Sequence, residues 1–384
     1  MTSPAPTDAR ISIIGGGPGG LTCARILQQR GLDVTIYERD PGPEARNQGG
    51  TLDLHADDGQ IALREAGLLD AFFALARPEG QAMRQLDLDG TVLTDEVPEA
   101  DDWSRPEIDR GQLRDLLLAS LKPGTVQWGR TLASIEGPKE GPRRLVFTDG
   151  STVETDLVIG ADGGFSRVRT AVSAATPIYS GVTFLEVWFD EVETRHPEIS
   201  ALVGQGSTAA ADGERCLIAQ RNSGDHLRVY VIRRMPLDWI AAAGLTAEDT
   251  AGIRAHLLED FAAWSPLMRR LIADNDGAYV DRPLFVLPVP HVWDHTPTVT
   301  LLGDAAHLMP PLGVGVNLAM LDACELALAL AFADTVDEAV EAYEKIMVPR
   351  SVRTAQALHR GAEKLLSPYD PGEDKFRAAA SNDQ

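Results

Sequence analysis

At 384 residues the chain exceeds one ordinary core and predicts two or three domains. A hydrophobic fraction of 44% beside 24% charged residues fits a globular fold rather than a disordered or fibrous one. The formal net charge of −22 argues against nucleic acid or an anionic membrane surface as a partner.

The N-terminal MTSPAPTDAR lacks the apolar core of a signal peptide and reads as a short tail. Ile11 to Ile14 then forms an apolar run that leads into Gly15-x-Gly17-x-x-Gly20. A helix-period segment (Leu21, Ala24, Leu27) follows, and a second strand, Val34 to Tyr37, ends at Glu38. This order is a βαβ unit with a dinucleotide fingerprint. Gly15 allows the tight turn, Gly17 lets the backbone approach a pyrophosphate, and Gly20 lets helix and strand pack closely. The helix N-terminus offers free N–H groups and a positive dipole end to the anion. Glu38, 18 residues after Gly20, is placed to accept the hydroxyls of an adenosine ribose.

Arginines gather around this unit: Arg39, Arg46, Arg105, Arg110 and Arg114, with Arg167 and Arg169 beside a later Asp-Gly pair. An acidic protein that binds an anionic dinucleotide needs such local positive charge. After the loop Pro41 to Thr51, a helical pattern covers Gly59 to Ala66, and Arg84 to Val97 alternates about Asp89-Gly90 as a hairpin. Ile108 to Leu121 predicts an amphipathic helix carrying Arg110 and Arg114 on one face. A second hairpin, Arg144 to Glu154, feeds the strand Leu157 to Ile159, which runs into Gly160-Ala-Asp162-Gly163.

From Thr176 to Trp239 the period changes to two. Val182, Phe184, Glu186 and Trp188 share one face, as do Arg228 and Tyr230, which predicts a half-exposed antiparallel sheet. Helical segments follow at Ala247 to Trp264 and Pro266 to Asp274. Strand Thr298 to Leu302 then ends in Gly303-Asp304, with Gly313-Val-Gly315-Val-Asn317 beyond it. Two Ala- and Leu-rich helices, Val316 to Ala333 and Val336 to Leu366, close the chain, and no apolar run approaches the roughly 18–20 residues that span a bilayer.

Three motifs therefore sit at the C-terminal ends of apolar strands, where open α/β sheets bind ligands. Asp304 is suited to a polyol chain. The glycines beyond it let backbone N–H groups approach a flat ring, and the next helix dipole favours negative charge on that ring.

On these residues the chain resembles the single-component (group A) FAD-dependent aromatic hydroxylases. It is especially similar to the tetracycline-inactivating flavin monooxygenases. The resemblance rests on Val34-Thr-Ile-Tyr-Glu-Arg-Asp40, Glu44-Ala-Arg46, Gly49-Gly-Thr-Leu-Asp-Leu-His55, Pro106-Glu-Ile-Asp-Arg110 and Gly303-Asp-Ala-Ala-His-Leu-Met-Pro-Pro311. It implies an α/β fold: a Rossmann-like FAD-binding domain (1–80, 105–175 and 279–330), an inserted antiparallel-sheet substrate domain (81–104 and 176–278), and a long C-terminal helix and tail (331–384). It implies non-covalent FAD on Glu38, Asp53, Arg110 and Asp304, and a nicotinamide nucleotide, NADPH, at Arg46. The segment at Asp162 serves both nucleotides in such enzymes. Only one GxGxxG occurs, so a second dinucleotide has no Rossmann unit of its own. The reduced flavin of these enzymes takes up O₂ and passes one oxygen atom to a phenolic or enolic ring, so no catalytic triad is expected.

The chain also departs from that group. The loop between Pro311 and Asn317 is one residue shorter, and a Gln position reads Val314. In the sheet, positions that are Gln, Arg, Phe and His there read Glu186, Ser207, Ile218 and Arg228, so the expected substrate site loses a cationic donor and gains an acid. Two readings of Glu186 stay open: a carboxyl with a raised pKa that meets a substrate hydroxyl, or a structural partner of Arg228. His291 and His295, four apart but in a Pro-bracketed loop without a third acidic ligand, do not make a metal site, and none is expected. His307 reads as a packing residue rather than a proton carrier. No Trp-x-Trp-x-Ile-Pro stretch supports the halogenase branch of this fold.

The reading is an FAD-dependent monooxygenase acting on a small polycyclic aromatic compound with O₂, a monomer. Three scattered cysteines, Cys23, Cys216 and Cys324, suit a reducing cytoplasm. A flavin dehydrogenase or reductase on the same fold is the alternative enzyme, and a flavin- or drug-sequestering protein the non-enzymatic one.

Overall fold

The computed structural model describes residues 3–45 and 49–364, the side chains of 360–364 excepted. One body is a five-stranded, all-parallel sheet in the order Val299–Leu301, Leu157–Gly160, Ile11–Ile14, Val34–Tyr37, Val126–Gln127. The Ile11–Ile14 strand is buried along its whole length, as a parallel strand covered on both faces must be. Helix Pro18–Gln29 packs on it with Leu21, Ile26 and Leu27 fully buried. The three strands that carry motifs are neighbours, so their C-terminal loops lie side by side.

The second body is a seven-stranded sheet in the order Val280–Val286, Ile178–Phe189, His226–Arg234, Arg215–Asn222, Ser207–Ala211, Met83–Leu86, Val92–Glu96. It is antiparallel except where Ser207–Ala211 runs parallel to Met83–Leu86. One face carries Leu185, Val187, Phe189, Val229 and Val231, packed with the helices Thr250–Asp260 and Pro266–Ala273. The strand Val280–Val286 pairs with Ile178–Phe189, so the sheet extends past residue 278, the bound that the resemblance implies for the substrate domain.

Two elements differ from the sequence expectation. Residues Glu107–Asp109 form a strand against Thr51–Asp53, and the helix begins only at Arg110. Asp109 stays extended because its carboxylate accepts from Arg77 and from the Asn222 and Ser223 of the sheet's hairpin, tying the two bodies together. Helix Gly315–Phe332 is, by length and composition, apolar enough to cross a membrane, contrary to the expectation of no such run. It is a core helix here, packed against Pro18–Gln29, Gly59–Glu65 and the final helix Val336–Lys364. Residues 365 and 366, included in the predicted helix, lie outside the described residues.

Candidate flavin and substrate site

The glycine loop is shaped by close approach. Gly15 has φ +110°, and a Cβ there would stand 2.2 Å from the Ala161 carbonyl oxygen of the neighbouring loop. Gly20 is equally constrained, by the Gly15 carbonyl at 2.2 Å. Gly17 is the opposite case: among the described residues nothing beyond its own stretch of chain lies within 4 Å of the Cβ position, so the backbone faces open space at the start of an α-helix. The Cβ directions at Gly313 and Gly315 are open in the same way. Backbone exposed at helix starts beside three strand ends is the donor set that suits a dinucleotide and a flat ring.

Glu38 is buried at the end of its strand, its carboxylate accepting from the amides of Gly16 at 2.6 Å and Asp40 at 2.9 Å. It therefore stands directly over the glycine loop. Arg39 beside it is exposed. Arg114 is buried and donates to the Pro43 carbonyl, with its guanidinium over Trp128 at 5.4 Å, so it anchors the loop that follows Glu38. Arg46 lies outside the described residues. Asp162 spends its carboxylate on Ser166 Oγ and on the amides of Arg167 and Val168, stitching the turn after its strand.

Asp304 opens a short helix after Gly303, which has φ +57°. The residue is exposed, yet protein packed around its carboxyl partly desolvates it. That burial raises its carboxyl pKa, with His307, Arg110 and Arg169 pulling it back down. This combination belongs to a carboxylate at the floor of a cleft. Gly303 N donates to Asp322 at 3.0 Å, and the same carboxylate takes His307 Nε2 at 2.6 Å and Arg350 at 2.8 Å. Burial opposes a charged imidazole, but Asp322 outweighs it and raises the His307 pKa. His307 thus has an ionic partner rather than a purely packing role. Asp322, a fully buried acid inside an apolar helix, is the sequence signal for this partnership.

Asn317 is fully buried. Its side chain is occupied by backbone: Nδ2 donates to the Asp53 carbonyl at 2.9 Å and Oδ1 accepts from His55 N at 2.8 Å. It holds the Asp53 loop against the start of the Gly315 helix. The Asp53 carboxylate meets His55 Nε2 at 3.0 Å. Across the two-stranded ribbon from Asp53, burial and the Asp53 charge hold the Glu107 carboxyl well above the usual carboxylate range.

The free face of the large sheet closes over this floor. A Cβ on Gly50 would lie 2.8 Å from Tyr230 Oη and 3.3 Å from Arg228 Cγ, so the loop leading to Asp53 touches the sheet directly. Arg110, exposed at the first turn of its helix, acts electrostatically on Glu107, Asp304 and Tyr230 at once. Glu186 and Tyr230 are cross-strand partners, as are Trp188 and Arg228. Gln220 pairs with both Ser207 and Arg228, and Ile218 with Tyr230, so all four sequence-selected sheet residues share one face.

Glu186 is not a free acid. Its Oε1 accepts from Arg228 Nη1 at 2.8 Å and its Oε2 from Arg282 Nε. The expected gain of negative charge is thus cancelled, because Arg282 comes from a strand the sequence reading had assigned to the other domain. A cavity of about 490 Å³ opens at the far end of the sheet, between Met83, Val97 and Val203. Of the four, only Ser207 reaches its wall. His291 and His295 face different partners, Ala306 and Ser173 for the first and Glu344 and Asp337 for the second.

The chain matches the FAD binding domain family over residues 8–267 and 294–357. It is 31% identical to a monooxygenase of Emericella nidulans, asqM, over 98% of this chain and 99% of that protein. It is 30% identical to a 3-amino-4-hydroxybenzoate 2-monooxygenase of Streptomyces cremeus, over 95% of this chain and 89% of that one. The crystal structure of the tetracycline destructase Tet(55) superposes with a TM-score of 0.73 at 20% identity, covering 97% of this chain and 94% of that one, a likeness that shows the fold. With strand-end loops that suit FAD and relatives matched nearly end to end, the chain belongs to the FAD binding domain family and is an FAD-dependent monooxygenase of the aromatic hydroxylase type.

Proposed function

We propose that the enzyme hydroxylates a polycyclic phenolic or enolic compound, tetracycline-like or a related polyketide, at the expense of NADPH and O₂. The observation that carries this reading is the contact of Gly50 with Tyr230 and Arg228, which sets the aromatic sheet face against the loops that suit FAD. Bound FAD would supply the electron transfer and oxygen activation. The chain's residues would supply the rest. Glu38 and the glycine loop would hold the adenosine end, Asp304 the polyol chain, and Arg110 positive charge at the junction with the sheet.

Phe184 and Tyr230, with ring centroids 5.9 Å apart, would receive a flat ring, and polar side chains on the same face would orient it. Arg46 would meet the nicotinamide nucleotide, and a reducing cytoplasm suits the three buried free thiols. The likeness of fold to tetracycline destructases and the name of the hydroxybenzoate relative both support a ring substrate.

The test is stopped-flow reduction of the bound flavin by NADPH with a panel of polycyclic phenols and tetracycline, followed by mass spectrometry of the products. Substrate-stimulated reduction with an oxygenated product supports the reading. NADPH consumption without oxygenated product would favour a flavin reductase instead.

A further inference from the structure

The polar residues of the sheet face carry a net positive charge, in a chain whose total is −22. Glu186 is 3% exposed and lies between two guanidiniums, those of Arg228 and Arg282. The Tyr230 hydroxyl beside them feels Glu186, Arg110, Arg228 and Arg282 together. Two arginines on one carboxylate leave an excess of cation at a surface rich in aromatic rings.

The two sheet arginines are not equivalent. Arg228 is buried, with its guanidinium over Trp188 at 5.2 Å. Arg282 keeps about half of its side chain exposed and gives only Nε to Glu186. Among the described residues, both of its terminal amino groups are without a protein acceptor. It stands in register opposite Phe184, whose ring leans on that of Tyr230, so its fork lies at the end of an aromatic floor. Glu186 fixes the near edge of the guanidinium and leaves the far edge presented. A planar fork of this kind matches a carboxylate or a delocalised enolate oxygen pair bidentately.

We propose that the substrate is a flat ring compound bearing a group ionised at neutral pH, a carboxylate or an enolate, and that Arg282 is the residue that recognises it. The inference rests on the reading of this face as the ring site. Glu186 is then a positioning residue that orients Arg282, and the ring skeleton lies on Phe184 and Tyr230.

The experiment is isothermal titration calorimetry of the FAD-loaded enzyme with 3-hydroxy-2-naphthoate and with its methyl ester, for the wild type, Arg282→Gln and Arg282→Lys. The wild type is expected to bind the acid about ten-fold or more tightly than the ester. Arg282→Gln should lose that preference by weakening the acid alone, and Arg282→Lys, which keeps charge but not the fork, should fall between. The half-exposed edge-strand position lets the variants be compared at equal FAD content. An ester bound as tightly as the acid, equal weakening of both by Arg282→Gln, or binding of neither would overturn the proposal. Oxygenation of neutral rings with no preference for the acid would remove this inference and leave the monooxygenase reading standing. Absence of oxygenated product from every ring, with the acid preference intact, would do the reverse.

Discussion

The side-chain amide of Asn317 donates to the backbone carbonyl of Asp53 at 2.9 Å, across 264 residues of sequence. With its oxygen on the His55 amide, this one buried side chain fixes the Asp53 loop to the start of the Gly315 helix. Asn317→Ala would leave a buried carbonyl and a largely buried amide without partners. Its stability should fall by about 1–3 kcal/mol in urea unfolding, with weaker FAD binding in parallel. Unchanged unfolding would show that water replaces the amide and that the clamp is dispensable.

Gly15 and Gly17 should separate folding from binding. Alanine at Gly15 meets the Ala161 carbonyl at 2.2 Å in a positive-φ conformation, so Gly15→Ala should yield little folded protein. Alanine at Gly17 meets no more distant part of the described chain within 4 Å, so Gly17→Ala should unfold like the wild type without FAD yet bind FAD far more weakly. Wild-type FAD affinity in Gly17→Ala, by fluorescence titration, would remove the loop from the dinucleotide site.

Asp304 should matter to the cofactor and little to the fold. Its carboxylate takes no hydrogen bond from the described residues, and burial raises its pKa. Asp304→Ala is expected to weaken FAD by about ten- to a hundred-fold, the worth of one charge-assisted hydrogen bond. Circular dichroism of the variant should match the wild type. Full flavin retention would place the polyol chain elsewhere.

His55 predicts a pH dependence of stability. Burial lowers its pKa, but Asp53 and Asp58 more than compensate and raise it to about 9. A raised folded value stabilises fully below the unfolded pKa of about 6.5 and is lost as pH rises through the folded one. Thermal stability should therefore fall between about pH 6.5 and pH 9 more steeply in the wild type than in His55→Gln. Parallel profiles would show that His55 carries no proton across that range.

Much of this was legible in the sequence because the three nucleotide motifs are local. Gly15 to Gly20, Asp162-Gly163 and Gly303-Asp304 each follow an apolar strand, and adjacency of those strands brings the loops together. The alternation of Glu186 with Trp188 and of Arg228 with Tyr230 likewise gave the shared sheet face. Long-range pairing was not legible. Arg282 meets Glu186 only because Val280–Val286 docks beside Ile178–Phe189, and no periodicity in a seven-residue strand containing Pro283 announces that neighbour. The strand at Glu107–Asp109 was hidden inside a helical pattern, since the hydrogen bonds that keep Asp109 extended come from Arg77 and the hairpin at Asn222.

Oxygen transfer to a ring is the central claim, and isotopic labelling tests it most directly. The FAD-loaded enzyme would be supplied with NADPH, ¹⁸O₂ and a panel of polycyclic phenols, acids and tetracycline, and the products weighed by mass spectrometry. At least one ring should gain a single labelled oxygen atom, with NADPH consumed in proportion. Label-free products throughout, with NADPH electrons recovered as hydrogen peroxide, would contradict it.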